Sequence, residues 1–267
     1  MSMGGTNPNR SASALPQRAS RAMRRAQRCA ARGQVDEAIA SIEQALQYGA
    51  DAYTCYLHLA RLHQVRGRWS EAMQAAEKAI AEHPDSLLAR EAMVALSMES
   101  RDYARAVDAS KAILQIHPRH VPARDALGTA YVGLGDVAAA LRVSDDLIRI
   151  DPSEPAHRFK RGLLCEHQGD IAGAVAEFER VIAMTDDPEL SASARAQLDI
   201  LDECQIGDII DLAADDWAFR CSLDLATGAA VAERGYRLSE AGLEHLYEIL
   251  TEYLTEPRGL STLPTYH

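Results

Sequence analysis

Residues 121–154 read VPARDALGTAYVGLGDVAAALRVSDDLIRIDPSE. Two apolar runs of helical period meet at Gly135, and the second stops at Pro152. The same punctuation recurs. Pro84, Pro118 and Pro152 stand 34 residues apart, after runs that end Ile-Ala-Glu-His, Leu-Gln-Ile-His and Ile-Arg-Ile-Asp. Twelve residues before each proline is an alanine, and the five alanines Ala38, Ala72, Ala106, Ala140 and Ala174 keep that period over four intervals. Five residues ahead of these alanines stand Gly33, Gly67, Gly135 and Gly169, with Arg101 in the remaining place.

A fixed period of this length is the mark of a repeat architecture. Each unit holds two helices of about 14 residues, each roughly 20 Å long. Glycine ends the first helix, where a left-handed backbone is needed, and proline stops the second. Small residues at the shared faces let the helices approach closely. A single pair cannot bury its apolar side, so pairs stack and share a core. Five units are expected, at 19–52, 53–86, 87–120, 121–154 and 155–188. The first is the least regular, with Ala50 where the others carry proline.

The pattern Leu127, Gly128, Tyr131, Ala140, Pro152 resembles the tetratricopeptide-repeat (TPR) family, as do Tyr56, Leu59, Ala60, Ala72, Ala79, Pro84 and the trio Gly162, Ala174, Phe178. The resemblance covers residues 19–188. It implies an all-α, right-handed superhelical solenoid of about five helix pairs. It also implies a protein that binds another protein or a peptide in a groove lined by the first helix of each pair. Groove positions fall on Thr54, Leu57, Arg61, Gln64 and Val65, then on Leu88, Glu91, Ala95, Met98 and Glu99. They continue at Pro122, Asp125, Thr129, Val132 and Gly133, and at Ala156, Phe159, Leu163, Glu166 and His167. One subclass of the family clamps a C-terminal carboxylate with Lys and Asn at set positions. Leu57 and Arg61, Glu91 and Ala95, and Asp125 and Thr129 stand there instead, so that clamp is absent.

Arg18, Arg21, Arg25, Arg28 and Arg32 form one stripe on the first helix. Arg25 occupies a position held by Leu59, Met93 and Leu127 in the next three units, which suits a polar end cap. The same stripe offers a docking surface for an acidic partner. The apolar face of that helix is expected at Ala22, Met23, Ala26, Cys29 and Ala30.

Charge is unevenly divided. The net −11 splits into +7 before Asp36 and −18 from Asp36 onward. An acidic chain is a poor phosphate binder, so nucleic acid is not expected as a partner. No apolar run reaches membrane-spanning length, and no membrane partner is expected. The first residues lack a secretory h-region, and five cysteines scatter without a CxxC pair, so a cytoplasmic, reduced protein is expected. Arginine far outnumbers lysine, which suggests a GC-rich bacterial source. Homo-oligomerisation stays open through the end face.

Beyond Pro188 the register fades. A tail at 1–16, repeats at 17–188, a capping helix and acidic linker at 189–213, a helical module at 214–256 and a tail at 257–267 are expected. Within the module, Asp216-Trp217-Ala218-Phe219-Arg220-Cys221 precedes a small-residue helix ending at Gly235, then a helix capped by Ser239. This resembles the leader region of nitrile-hydratase-like and Nif11-like precursor peptides. It implies an accessory role in recruiting peptide-modifying enzymes. The plainer reading is a helical cap with Trp217 and Phe219 as core anchors.

No catalytic constellation emerges. Gly128, Gly133 and Gly135 lack the Lys-Ser/Thr of a phosphate loop, there is no HExxH, and Cys165 and His167 point apart on a helix. A non-catalytic protein with no cofactor and no metal is expected.

Overall fold

A computed structural model describes the backbone of residues 8–255 and the side chains of residues 15–252. The described residues form thirteen α-helices and no strand. The chain divides into two compact units, Met1–Asp136 and Val137–His267.

In the first unit, helices α1 (Pro8–Ala31), α2 (Val35–Gln47), α3 (Ala52–Val65), α4 (Trp69–Glu82), α5 (Leu87–Glu99), α6 (Tyr103–Ile116) and α7 (Val121–Gly133) follow one another. They pack pairwise, α1 on α2, α3 on α4 and α5 on α6, with α3 beside α5 and α5 beside α7. In the second unit come α8 (Val137–Ile150), α9 (Pro155–Gln168), α10 (Ile171–Met184), α11 (Pro188–Asp215), α12 (Trp217–Glu233) and α13 (Glu240–Thr255). There α9 packs on α10, and α11 packs on α10, α12 and α13.

The periodic residues occupy equivalent environments. Ala38, Ala72, Ala106, Ala140 and Ala174 are all at most 1% exposed. A methyl group is the largest side chain that so close a helix approach admits. The turns repeat as well. Gly33, Gly67, Gly135 and Gly169 have φ between 67° and 82°, and Arg101, in the same place, is held at φ 60°. Each left-handed turn lets a backbone N–H reach back to the preceding helix, as Arg68 N–H does to the His63 carbonyl at 2.9 Å and Asp102 N–H to the Ser97 carbonyl at 2.9 Å. The carboxylates of Asp51, Asp102 and Asp170 accept the N–H of Thr54, Arg105 and Gly173 at the next helix starts.

Three boundaries differ from expectation. Helix α1 starts at Pro8, so the tail expected to residue 16 is shorter, and Pro16 lies within the helix. Pro8 sits where a missing N–H costs nothing, and Ala12, Ala14 and Leu15 favour helix across Pro16. The expected tail 257–267 lies outside the described residues. The acidic stretch is not a linker. It is part of the unbroken 28-residue α11. Asp199, Glu203, Asp208, Asp211 and Asp215 face solvent, while Ile206, Ile209, Ile210 and Ala213 face inward at helical spacing.

Those inward residues share a core with Phe219, Leu223, Val231, Leu238, Leu246 and Leu250. The boundary expected at 213/214 therefore cuts through a core. Phe219 anchors it at 2% exposure, but Trp217 does not, being 71% exposed. Both follow from the cap at Asp216, which accepts the Phe219 N–H at 3.0 Å and sets the helix phase that turns Trp217 outward.

Candidate functional site: the first-helix faces

On α3, Thr54 and Arg61 are exposed and Leu57 is half-buried. Gln64 is engaged, since its amide donates to Glu99 Oε1 on α5 at 2.7 Å. Glu91 on α5 meets His120 Nε2 at 3.1 Å. The other nitrogen of that imidazole, Nδ1, accepts the Ala123 N–H at 3.1 Å. His120 therefore caps α7 through Nδ1 and meets Glu91 through Nε2. Met98 packs against the cluster of Val94, Ile113 and Ala123. On α7, Thr129 is exposed and its hydroxyl donates to the Asp125 carbonyl at 3.1 Å.

In the second unit, Phe159 is a packing residue, 5.5 Å from Phe178 between ring centroids. Leu163 and His167 are exposed one and two turns further along α9. Thus Gln64, Glu91, Met98 and Phe159 are tied to neighbouring helices. Thr54, Arg61, Thr129, Leu163 and His167 face solvent. The periodic register identifies which helix face a residue occupies. It does not distinguish a free side chain from one bonded to the next pair.

A hollow lies between α1 and α3. It encloses about 450 Å³ and is lined by Met23, Ala26, Gln27, Ala30, Ala31, Gly33, Val35, Ile42, His58, Arg61, Leu62 and Val65. Small side chains on α1 opposite Leu62 and Val65 leave the space open. Met23, Gln27, Ala30 and Ala31 stand in the first unit where Leu57, Arg61, Gln64 and Val65 stand in the second. The hollow thus reaches one repeat before the groove positions expected from the sequence. Ala30, expected on the buried face, is exposed at this rim.

Arg18, Arg21, Arg25, Arg28 and Arg32 are all exposed, as is Arg24. Arg18 lies over the Tyr48 ring at 5.9 Å, and Arg28 Nε donates to the Arg24 carbonyl at 3.4 Å. Arg21, Arg24 and Arg28 edge a shallow surface that shares Gln27 and Ala31 with the α1–α3 hollow.

Chemistry is sparse. Among the described residues no group of three or more His, Cys, Asp or Glu side chains is placed to hold a metal ion. Cys55 and Cys165 are buried, and burial pushes both thiols above their ordinary range, away from the reactive thiolate. No described helix is long and apolar enough to cross a membrane.

Family models described as tetratricopeptide repeat match residues 30–96, 97–163 and 136–199. The chain belongs to the tetratricopeptide-repeat family. Among solved TPR structures, a chain from Parabacteroides merdae superposes with a TM-score of 0.60 at 16% identity, covering 88% of this chain and 99% of that one. MamA from Desulfovibrio magneticus RS-1 gives 0.54 at 19% identity, over 64% and 98%. YrrB, described as a TPR protein with an unusual peptide-binding site, gives 0.53 at 16% identity, over 66% and 90%. At such identities the likeness is one of fold. No curated protein matches the chain.

Proposed function

We propose that this TPR chain is a non-catalytic interaction scaffold, and that it holds a partner protein or peptide on its first-helix faces. The observation that carries this reading is the open hollow between α1 and α3, with apolar walls from Met23, Ala26, Leu62 and Val65 and a polar rim at Gln27 and Arg61. Val65 is 66% exposed there, and Leu88 on the same side of α5 is 60% exposed. Apolar side chains at positions the repeat does not need for stacking suit contact with a second molecule. A peptide-binding site in a solved TPR relative supports the reading by analogy of fold.

A photo-crosslinking amino acid at position 61, 65 or 129 of the full chain, expressed in its native cell, tests this. Gln74 and Asp108, exposed on the second helices α4 and α6, serve as control positions. Discrete protein adducts are expected from the first set alone. Equal labelling from both sets, or none from either, would remove the proposal.

A further inference from the structure

The arginines of α1 from Arg18 to Arg32 form a continuous exposed basic row. Arg21, Arg24, Arg25, Arg28 and Arg32 make no ion pair among the described residues, although acidic residues exceed basic ones by 11 overall. Elsewhere pairing is common. Arg66 and Arg68 share Asp36, Arg105 meets Glu77, Arg158, Arg161 and Arg180 surround Glu177, and Arg234 meets Asp216. Of this row, Arg21 and Arg28, with Arg24, edge the shallow surface that adjoins the α1–α3 hollow through Gln27 and Ala31.

A complementary surface exists on the second unit. Asp208, Asp211 and Asp215 follow one another at intervals of three and four on α11, exposed and without an ion pair among the described residues. Arg21, Arg25, Arg28 and Arg32 run at four, three and four on α1. Both rows lie along one helix face with matching spacing, and seven residues of helix span about 10 Å.

Directly after the acidic row stands Trp217, 71% exposed. It is held in place. The Arg220 guanidinium lies 5.7 Å from its ring centroid, and that guanidinium donates to the carbonyls of Ala213 and Ala214, at 2.7 Å each. A large aromatic side chain fixed toward solvent loses little entropy on binding, which is the character of an interface anchor.

We infer that the occupant of the α1–α3 hollow is a second copy of this chain, with Trp217 seated against the apolar walls and the Asp208–Asp211–Asp215 row facing the α1 arginines. This rests on the reading of that hollow as a binding surface and names its partner. Each contact joins unlike faces, so either reversal alone blocks self-association, while a mixture of the two variants regains the contact between the surfaces left unreversed.

Sedimentation velocity on the full chain is the test, run across a concentration series at about 50 mM and about 500 mM salt. Association that rises with concentration and weakens at high salt is expected. Trp217→Ala weakens it by about tenfold or more. The triple reversals Arg21→Glu/Arg25→Glu/Arg28→Glu and Asp208→Arg/Asp211→Arg/Asp215→Arg each abolish it, and mixing these two variants restores a complex. All these positions are solvent-facing, and circular dichroism checks that each variant stays helical. In a Trp69→Phe background, Trp217 emission moves to shorter wavelength as the chains associate.

Single-chain mass at every concentration and salt would overturn the inference. So would association that survives both reversals. If the chain stays single while a crosslinker at position 61 still captures another protein, this inference fails and the scaffold reading stands.

Discussion

The Asp202 carboxylate on α11 accepts both the main-chain N–H of Ser239, at 2.9 Å, and its hydroxyl. Ser239 Oγ in turn accepts the Gly242 N–H at 3.1 Å and so caps α13. Beside it, the Gln205 amide donates to the Arg237 carbonyl and accepts the Arg237 N–H, both at 2.9 Å. Two polar side chains of α11, where a capping helix and acidic linker were expected, therefore fix the entry to the last described helix.

Asp202 is 4% exposed, and its removal leaves two donors buried without an acceptor. Asp202→Ala is expected to cost about 2–4 kcal/mol in urea unfolding of the full chain. Amides of α13 should lose hydrogen-exchange protection first. Gly242→Ala should be destabilising too, because an added Cβ would collide with the Asp202 carboxyl group. An unchanged midpoint for both variants would contradict this account of the junction.

Glu177 is a buried carboxylate, 4% exposed at its side chain, that meets Arg158 at 3.2 Å, Arg161 at 3.1 Å and Arg180 at 3.0 Å. Arg161 also reaches Asp145 on α8 at 2.7 Å, so the network links α8, α9 and α10. Glu177→Ala leaves the guanidinium groups crowded without their counter-charge and should cost about 3–5 kcal/mol. Arg180 is 60% exposed at its side chain, and Arg180→Ala should cost less than about 1 kcal/mol. Urea midpoints of the two variants compare them directly.

Backbone and packing demands separate three positions. Arg101 has the left-handed φ that its four counterparts meet with glycine, and Arg101→Gly should stabilise by about 1 kcal/mol. Gly162→Ala should cost about 1–3 kcal/mol, because a Cβ there would lie 2.6 Å from the buried Phe178 ring. Gly207, inside α11, has nothing within 4 Å of an added Cβ, so Gly207→Ala should gain about 0.5–1 kcal/mol from helix propensity. Thermal unfolding should give opposite signs for the two alanine variants.

Acid should act through helix caps. Hydrogen bonds from the Thr54 hydroxyl and N–H hold the Asp51 carboxyl below its usual range. The Phe219 N–H and then the Arg234 guanidinium do the same for Asp216. Each group binds its proton less readily folded than unfolded. The stability it adds is present above the unfolded value, about 3.9, and is lost as pH falls through the lower folded value. Melting temperature should therefore drop below about pH 4. Asp51→Asn and Asp216→Asn, which keep an acceptor but do not titrate, should drop less steeply.

The sequence by itself determined the repeat, because its demands are local. The alanines at 38, 72, 106, 140 and 174 and the left-handed turns at 33, 67, 101, 135 and 169 answer to helix approach and backbone geometry, and these leave periodic marks. It also determined the Ser239 cap and which residues share the first-helix faces. Tertiary structure alone decided the rest. Whether Gln64 is free or bonded to Glu99, and whether Phe159 faces a ligand or Phe178, depends on partners 35 and 19 residues away. The acidic run of α11 suggested a solvated linker, since charge composition carries no information about the four apolar residues that Phe219 and Leu246 cover. Trp217 looked like core by residue type and was turned outward by a helix phase set at Asp216. A side chain's fate at such places is a property of what packs against it.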